Sequence, residues 1–472
     1  MTAPDTLVDA EQRGPGLVAA LTDTLGADAV VAGASISADY GTDESLHAAA
    51  QLPEAVVFPS GTAQVAAIVR AAAEWRVPIT ARGAGTGLSG GCIPVAGGLV
   101  VSFARMARLL EIDRANHVAI VQPGLTLAEL DEATAAHGLV FPVFPGTNAA
   151  SLGGNVATNA GGMRAVKYGV TRNQVLGIEA VTGTGEVIRS GGRYVKATTG
   201  YDLTQLVVGS EGTLALVTEA TLRLHPRLTD TASLLAPFSS LADVAAVVPR
   251  IVASGVQPLI LEYIDRWTMK GLLRMNDLTL GIADGVADVT EAYLIVVLEG
   301  RDDQRLQVDV ADVAEQLAVA GAHDVYVLPA GQGAELLAAR ERAFWLVKAA
   351  GADDLIDMVV PRDKIPDYLA RVQEIADRHE ARVFGCGHAG DGNIHFSVYQ
   401  PDVVRRTALL RAIFEVGLGL GGAISGEHGI GRAKVAYYQE LEDPGKLALQ
   451  RRIKAAFDPM GILNPGCIFD NF

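Results

Sequence analysis

The chain has 472 residues, 49% of them hydrophobic and 19% charged, which is the composition of a folded protein large enough for two or three domains. Its net charge of −16 disfavours nucleic acid as a partner, and it contains neither an apolar run of membrane-spanning length nor the features of a signal peptide. Three widely separated cysteines predict no disulfide framework, so we expect a cytoplasmic protein, with peripheral membrane contact left open.

Strand and helix patterns alternate through the first half of the chain. Helical spacing covers 17–25 and 62–75, and strand patterns cover 55–58, 77–81, 99–103, 118–122, 175–182, 186–189 and 214–224. Thr126 and Glu129 have the spacing of a capping box, which predicts a further helix start. The residues 183–185 between two strands predict a hairpin.

The pattern changes near Arg227, where we place a domain boundary. Strands are predicted at 234–238, 259–263, 292–299 and 324–328, with helices at 241–254 and 302–320. This order indicates an antiparallel sheet covered by helices. Further helices are predicted at 334–349, 363–379, 402–418 and 443–457.

A glycine-rich run at 82–91 follows a predicted strand and contains the spacing G-x-G-x-x-G at Gly85, Gly87 and Gly90. A Rossmann site would require a helix to begin at these glycines. Pro94 and the strand predicted at 99–103 argue against that helix, so we reject the Rossmann interpretation. Successive N–H groups of such a loop can instead bind an anion, although an ordinary glycine-rich loop is the simpler alternative.

Two more segments of small residues follow, at 145–162 and 209–214. The first holds five glycines and otherwise mostly Ala, Thr, Asn and Ser, so a large flat group could lie close to its backbone. A flexible loop is the alternative, but the apolar strand-like runs on both sides argue against it. Together the three loops predict a dinucleotide cofactor site.

Two glycine-flanked clusters carry side chains suited to a metal ion. His388 and His395 lie in the segment 385–397, and Glu427 and His428 lie in 426–431. Imidazole with carboxylate suits Zn²⁺ or a similar divalent ion, and the alternative is a hydrogen-bonded polar interface. Arg340 could bind a substrate carboxylate, although a solvated helix face is the more frequent explanation for such an arginine.

Six segments in this order resemble FAD-linked oxidoreductases of the vanillyl-alcohol oxidase / p-cresol methylhydroxylase superfamily. They are RGAGTGLSGG, PGTNAASLGGNVATNAGG, GSEGTLALVTEATLRLHP, GCGHAGDGNIHF, GEHGIGRAK and FDPMGILNPG. Within the superfamily the chain is similar to the D-2-hydroxyacid dehydrogenase branch, which includes D-lactate dehydrogenases, glycolate oxidase FAD subunits and D-2-hydroxyglutarate dehydrogenases.

The resemblance implies an α+β fold with a p-cresol methylhydroxylase-type FAD-binding domain and an antiparallel-sheet-and-helix substrate (cap) domain. We assign residues 1–52 to an N-terminal helical lead-in and 53–227 to the FAD-binding domain. Residues 228–425 then form the cap domain, and 426–472 form a C-terminal segment that returns to the FAD-binding domain.

The resemblance also implies roles for individual residues. FAD would contact Arg82, Gly83, Ala84, Gly85, Thr86, Gly87, Leu88, Ser89, Pro145, Gly146, Thr147, Ser151, Gly153, Asn155, Thr158, Gly161, Glu211, Gly212, Leu216 and Asn464. The cofactor should be non-covalent, because the 82–91 loop has no His, Cys or Tyr where relatives attach FAD. His388, His395 and Glu427 would bind the metal, with Zn²⁺ first and Mn²⁺ or Co²⁺ as alternatives. His428 would be the catalytic base and Arg340 the carboxylate-binding arginine.

The implied reaction is oxidation of a small D-2-hydroxy acid to the 2-oxo acid, with the hydride passing to flavin N5. Hydroxyglutarate-active relatives have a lysine before the D-x-x-x-P element, here 357–361, whereas this chain has Asp353 and Asp354 there. If these aspartates face the pocket, they would repel a second carboxylate. We therefore favour D-lactate or glycolate, with D-2-hydroxyglutarate as the alternative.

Three other functions stay open: an alkylglycerone-phosphate-synthase-like transferase, a metal-dependent hydrolase, and a non-catalytic flavin-binding subunit. The transferase should have a basic apolar tunnel, and the hydrolase would leave the glycine-rich loops unexplained. The electron acceptor could be a quinone, a cytochrome or an electron-transfer flavoprotein. A homodimer is compatible with the sequence.

Overall fold

The computed structural model describes residues 10–470, so residues 1–9 of the assigned lead-in and 471–472 of the assigned C-terminal segment lie outside the described residues. The helices are α1 (Ala10–Leu25), α2 (Thr62–Trp75), α3 (Leu127–Ala135), α4 (Leu152–Thr158), α5 (Ala165–Tyr168), α6 (Thr171–Gln174), α7 (Leu203–Val207), α8 (Leu241–Ala253), α9 (Arg266–Met275), α10 (Asp284–Val289), α11 (Asp303–Val319), α12 (Ala330–Glu341), α13 (Ala343–Ala349), α14 (Ile365–Arg378), α15 (Val403–Gly419), α16 (Val435–Leu441) and α17 (Pro444–Phe457). None of these described helices has the length and apolarity needed to cross a membrane.

The strands are β1 (Val30–Ala32), β2 (Ala55–Val57), β3 (Ile79–Arg82), β4 (Leu99–Ser102), β5 (Leu109–Asp113), β6 (Val118–Val121), β7 (Leu139–Val140), β8 (Val175–Thr182), β9 (Val187–Gly191), β10 (Ala215–Arg223), β11 (His225–Pro226), β12 (Asp230–Phe238), β13 (Ile260–Asp265), β14 (Ala292–Gly300), β15 (Tyr326–Leu328), β16 (Asp354–Val359), β17 (Arg382–His388) and β18 (Asn393–Tyr399).

Two larger sheets and the two-stranded pair of β7 and β11 form the half of the molecule that carries the glycine-rich loops. The first has the order β1-β2-β4-β3, in which β4 runs parallel to both β2 and β3. The second is antiparallel, with the order β5-β6-β10-β8-β9. Residues 83–98, all of them described, connect β3 to β4 without a helix. This connection confirms the rejection of the Rossmann interpretation.

A seven-stranded sheet with the order β15-β12-β14-β13-β17-β18-β16 dominates the other half. Its strand pairs are antiparallel, because hairpins and helical returns bring each chain segment back along its neighbour. Apolar side chains of α8, α11, α14 and α15 share one core cluster with this sheet, and those of α9, α12 and α13 share another. The prediction of an antiparallel sheet covered by helices is confirmed.

Two local predictions in this half were incomplete. The helix predicted at 334–349 is two helices, because α12 ends and α13 begins around Arg342. The glycine-rich segment 385–397 lies mostly in the hairpin β17–β18. A Cβ atom at Gly385 would lie 2.0 Å from the carbonyl oxygen of His395, so the close approach of the two strands requires glycine there.

The end of the described chain packs against the first sheet. The N–H of Ile79 donates to the carbonyl of Ile462, and the N–H of Asn464 donates to the carbonyl of Ile79, each at 2.7 Å. These bonds place residues 462–464 beside β3, the edge strand that leads into the 82–91 loop.

Candidate functional site

A cavity of about 1330 Å³, its open mouth included, lies where the three glycine-rich loops meet, and we call it the glycine-loop cavity. Sixteen of the twenty residues assigned to FAD line it. They are Gly83, Ala84, Gly85, Thr86, Gly87, Leu88, Ser89, Pro145, Thr147, Ser151, Gly153, Asn155, Thr158, Glu211, Gly212 and Leu216. No comparable sequence signal pointed to the mostly apolar remainder of the lining, such as Phe103, Pro123 and Val207.

Ser151 shows why these loops converge. It caps α4, and its hydroxyl oxygen accepts from the backbone N–H groups of Gly154 and Ala84 at 3.3 Å each. A Cβ atom at Gly83 would lie 2.0 Å from that oxygen, so a side chain there would separate the two loops. Small residues therefore allow the loops to touch and leave a cavity on their other side.

Four residues assigned to FAD lie outside this lining. Arg82 donates to the carbonyl of Thr42 at 2.7 Å, and Gly146 lines an adjoining cavity. Asn464 is buried and donates from Nδ2 to the carbonyls of Gly91 and Glu211, at 2.8 Å each. At Gly161 a Cβ atom would lie 2.9 Å from Glu427 Oε2. Three of these four thus contact or connect the surrounding loops rather than the cavity itself.

The glycine-loop cavity fits a large cofactor that carries phosphate groups. Its described lining holds no lysine or arginine, so phosphate there would depend on backbone N–H groups. Within the described chain, the buried side-chain amide nitrogen of Asn155 lacks a hydrogen-bond partner and is available to a polar atom of such a ligand. These features suit an adenine dinucleotide.

A second cavity of about 1050 Å³, also with its mouth included, adjoins the first, and we call it the arginine cavity after Arg340. Glu427 and His428 line both cavities. His388 and His395 also line the arginine cavity. All five residues assigned to catalysis or metal binding therefore meet at one place, although they come from three separate parts of the chain.

His388, His395 and Glu427 form a compact set of potential metal ligands. His388 is on β17, His395 is on β18, and one ligand atom from each of the three residues lies within 4.8 Å of the others. Glu427 Oε1 lies 3.2 Å from His388 Nε2 and 3.3 Å from His395 Nε2. Among the described atoms, the buried Glu427 Oε2 has no hydrogen-bond partner. Two imidazoles and a carboxylate with a spare oxygen fit a divalent cation.

The charges of this cluster support one another. Burial lowers the pKa of His388, but the carboxylates of Glu262 and Glu427 outweigh burial and hold it well above its usual value. Burial raises the pKa of Glu427, and the two histidines outweigh it and hold that pKa well below the usual range. A cation bound here would have to displace the proton held by the histidine, so its affinity should fall at low pH.

Asp357, which the sequence analysis did not assign to the site, organises the loop that carries Glu427 and His428. Its Oδ2 accepts from the hydroxyl of Ser425 at 2.6 Å and from the N–H groups of residues 426–428 at 2.8 to 3.1 Å. Its Oδ1 accepts from the side-chain amide of Asn393 at 2.8 Å. Asp357 also lies near His395 and His428 in a second set of potential ligands. Because both of its oxygens are already bonded, the set containing Glu427 is the better candidate for a metal site.

His428 is placed to accept a proton. Its ring stacks on His395, with the ring centroids 5.1 Å apart, and its Nδ1 lies 3.9 Å from Asp357 Oδ2. Burial lowers the pKa of His428 to about 4, against the opposing influence of Asp357. The imidazole is therefore neutral near neutral pH and has a lone pair available.

Arg340 is buried and faces a carboxylate that sequence reasoning missed. Its Nη2 lies 2.8 Å from Glu262 Oε2, and Glu262 also hydrogen-bonds His388 Nδ1. Within the described structure Arg340 Nε has no hydrogen-bond partner, whereas Nη2 is ion-paired with Glu262. The Nε donor is therefore available to a ligand carboxylate. The sequence offered one indication of this role, because Glu262 is the single acidic residue within the apolar run 259–263.

The expected repulsion from Asp353 and Asp354 does not arise in this cavity, because neither residue lines it. Asp354 instead lies 3.3 Å from His47, and Arg406 approaches both aspartates on another side of β16. The acids of the lining, besides Glu427, are Glu44 and Glu341. That reason for disfavouring a second carboxylate is therefore wrong.

Comparisons with known proteins agree with this geometry. Residues 53–191 match the family described as "FAD binding domain", and residues 227–468 match "FAD linked oxidases, C-terminal domain". The chain is 52% identical to an uncharacterized FAD-linked oxidoreductase of Mycobacterium tuberculosis, over 96% of this chain and 99% of the relative. It is 40% identical to a D-lactate dehydrogenase of Archaeoglobus fulgidus (87% and 90%) and 36% identical to the glycolate oxidase subunit GlcD of Bacillus subtilis (89% and 89%).

Among solved structures, p-cresol methylhydroxylase with substrate bound is similar with a TM-score of 0.80 and 18% identity, covering 100% of this chain and 99% of that one. At this identity the likeness concerns the fold alone. The predicted α+β fold of the p-cresol methylhydroxylase type is confirmed.

Proposed function

The chain belongs to the FAD-linked oxidases, and we propose that it oxidises a D-2-hydroxy acid to the 2-oxo acid with non-covalently bound FAD. The names of the relatives from Archaeoglobus fulgidus and Bacillus subtilis support D-lactate and glycolate as first candidates, with D-2-hydroxyglutarate as the alternative. The observation that carries the proposal is the position of Glu427 and His428, which line both the glycine-loop cavity and the arginine cavity.

Within this proposal, residues 53–227 bind FAD, 228–425 form the cap domain, and 426–472 return to the FAD-binding domain after the 1–52 lead-in. His388, His395 and Glu427 hold the metal ion. Zn²⁺ is the first candidate, and Mn²⁺ and Co²⁺ are the alternatives. A quinone, a cytochrome or an electron-transfer flavoprotein would reoxidise the enzyme.

Each of the chain's own groups then has one task. The unpartnered Nε of Arg340 binds the substrate carboxylate and so orients C2 and its hydroxyl. The neutral imidazole of His428 accepts the hydroxyl proton, and the N–H bonds to Asp357 hold that loop in place. When bound, FAD supplies a hydride acceptor and a divalent cation supplies Lewis-acid polarisation of the hydroxyl.

The arginine cavity gives less support to a transferase acting on a phosphorylated lipid precursor. The basic apolar tunnel expected for a transferase is not matched by the described lining, in which Arg340 is the one lysine or arginine. Hydrolase chemistry at the metal cluster would give no role to the glycine-loop cavity beside it. Oxidation uses both cavities.

The proposal is tested by adding D-lactate, L-lactate, glycolate and D-2-hydroxyglutarate anaerobically to the purified holoenzyme and following the visible absorbance of the flavin. We expect bleaching by at least one D-2-hydroxy acid or glycolate and none by L-lactate. His428→Ala should keep its flavin and lose bleaching, whereas the exposed control His137→Ala should behave as wild type. Failure of every 2-hydroxy acid to bleach the flavin, or bleaching of His428→Ala at the wild-type rate, would contradict the proposal.

A further inference from the structure

Part of the lining of the arginine cavity is apolar. It includes Phe344, Trp345 and Val347 of α13 and Leu355 of β16. None of these four described residues lines the glycine-loop cavity, so a cofactor bound there would leave them facing the arginine cavity. Their side chains therefore belong to the space that receives the substrate.

The position of Arg340 directs a substrate towards these residues. Arg340 is in the last turn of α12, and α13 begins three residues later, so Phe344 follows the arginine by about one helical turn. With the carboxylate on Arg340 and the hydroxyl near His428, the side chain of the acid is left to contact the apolar lining.

We propose that the arginine cavity selects D-2-hydroxy monocarboxylic acids with a bulky apolar side chain, branched aliphatic or phenyl, over D-lactate and glycolate. This inference rests on the proposed function and refines its substrate class. A methyl group or a hydrogen at C2 leaves the apolar lining in contact with water, whereas a larger side chain covers it.

A second carboxylate is poorly suited to the same space. Glu44 and Glu341 are the acids lining it beyond the metal cluster, and Arg340 is committed to the first carboxylate. Lys348 lies 2.6 Å from Glu44 and over the rings of Phe344 and Trp345. This pairing leaves the lysine poorly available to a dicarboxylic acid, so D-2-hydroxyglutarate should rank below the bulky apolar acids.

The test compares kcat/KM of the holoenzyme for D-lactate, D-2-hydroxyisocaproate, D-3-phenyllactate and D-2-hydroxyglutarate with an artificial dye acceptor. Each buried methylene should raise kcat/KM about fourfold, so the two bulky acids should exceed D-lactate at least about tenfold. Phe344→Ala should lower the ratio of kcat/KM for phenyllactate to that for D-lactate by roughly tenfold, through lost contact with the phenyl ring.

A second variant changes the cavity in the opposite way. Val347→Phe fills the apolar part and should also lower the ratio of phenyllactate to D-lactate, because the bulky side chain loses its space. Tyr201→Ala removes an aromatic ring that is 94% exposed and serves as the matched control, with the wild-type ratio expected. Flavin absorbance and thermal unfolding of each variant show whether it is folded.

The results separate this inference from the proposed function. If the enzyme oxidises D-lactate or D-2-hydroxyglutarate as efficiently as the bulky acids, the proposed selectivity is overturned. The proposed oxidation of D-2-hydroxy acids would still stand. The proposed selectivity would also be overturned if Phe344→Ala and Val347→Phe both fold and both keep the wild-type ratio of kcat/KM for phenyllactate to that for D-lactate. If none of the acids reduces the flavin, the proposed function fails and the inference fails with it.

Discussion

Replacing Asp357 by Asn should disable the site while leaving the flavin in place. The carboxylate is fully buried, and one of its oxygens accepts four hydrogen bonds from Ser425 and the N–H groups of 426–428. These bonds hold the loop that positions Glu427 and His428. Asparagine has the same shape but lacks the charge. At best, its single side-chain oxygen would accept the same four hydrogen bonds as a neutral acceptor.

The magnitude follows from the loss of charge on these bonds. A hydrogen bond to a charged group contributes about 1.5–3 kcal/mol and a neutral one about 0.5–1.5 kcal/mol, so each bond should weaken by about 1 kcal/mol. Four bonds set an upper limit of about 4 kcal/mol, and relief from burying a charge offsets part of it. A net loss of about 2–3 kcal/mol in transition-state stabilisation lowers kcat/KM about 30- to 150-fold.

The assay is steady-state oxidation of the best 2-hydroxy acid with a dye acceptor, combined with flavin content from visible absorbance. Asp357 makes its hydrogen bonds to residue 393 and to 425–428, outside the three glycine-rich loops, so flavin content should match wild type. Asp363→Asn is the matched control, because that aspartate is exposed and contacts Lys364. The reasoning is refuted if Asp357→Asn stays within threefold of wild type in kcat/KM, or if it loses flavin together with activity.

Three further results are expected. His388→Ala should lose bound metal, measured by elemental analysis, and lose turnover with its flavin retained; a chelator should do the same to wild type, with activity restored by Zn²⁺, Mn²⁺ or Co²⁺. Arg340→Gln should lower kcat/KM about 10- to 150-fold, mainly through a higher KM, because it removes a charge-assisted bond of about 1.5–3 kcal/mol. Glu211 accepts from the N–H groups of Ile430 and Gly431, and burial raises its pKa above the usual 4.5. Its stabilising contribution is therefore complete below that value and declines as pH rises through the raised pKa. The stability of wild type relative to Glu211→Gln, measured by thermal unfolding, should therefore shrink as the pH rises above 4.5.

Much of the local structure was predictable because its causes are local. The helix predicted at 62–75 has those bounds, and the capping box of Thr126 and Glu129 is present, since a cap depends on residues three positions apart. The three glycine-rich loops were recognisable for the same reason. A long run of small residues cannot form a core, and its backbone is open to a ligand wherever the run lies in the fold.

The central contacts of the site were not predictable in the same way. Glu262 meets His388 across 126 positions and faces Arg340, and Asp357 meets the N–H groups of 426–428 some seventy positions away. Nothing in the neighbouring sequence shows that these acids are buried or which groups they face. Their roles depend on β13, β16 and β17 lying in one sheet, in an order that differs from the order of the chain.

The sequence by itself determined the class of fold, the three loops of the glycine-loop cavity and the histidines suited to a metal. These features depend on residue chemistry and on short spacings along the chain. Both stay the same wherever a segment lies in the fold. Tertiary structure alone decided that Asp353 and Asp354 do not line the arginine cavity, that Glu262 and Asp357 support the site, and that α13 gives the cavity an apolar wall. Burial, charge pairing and the shape of a cavity arise only when distant segments pack together.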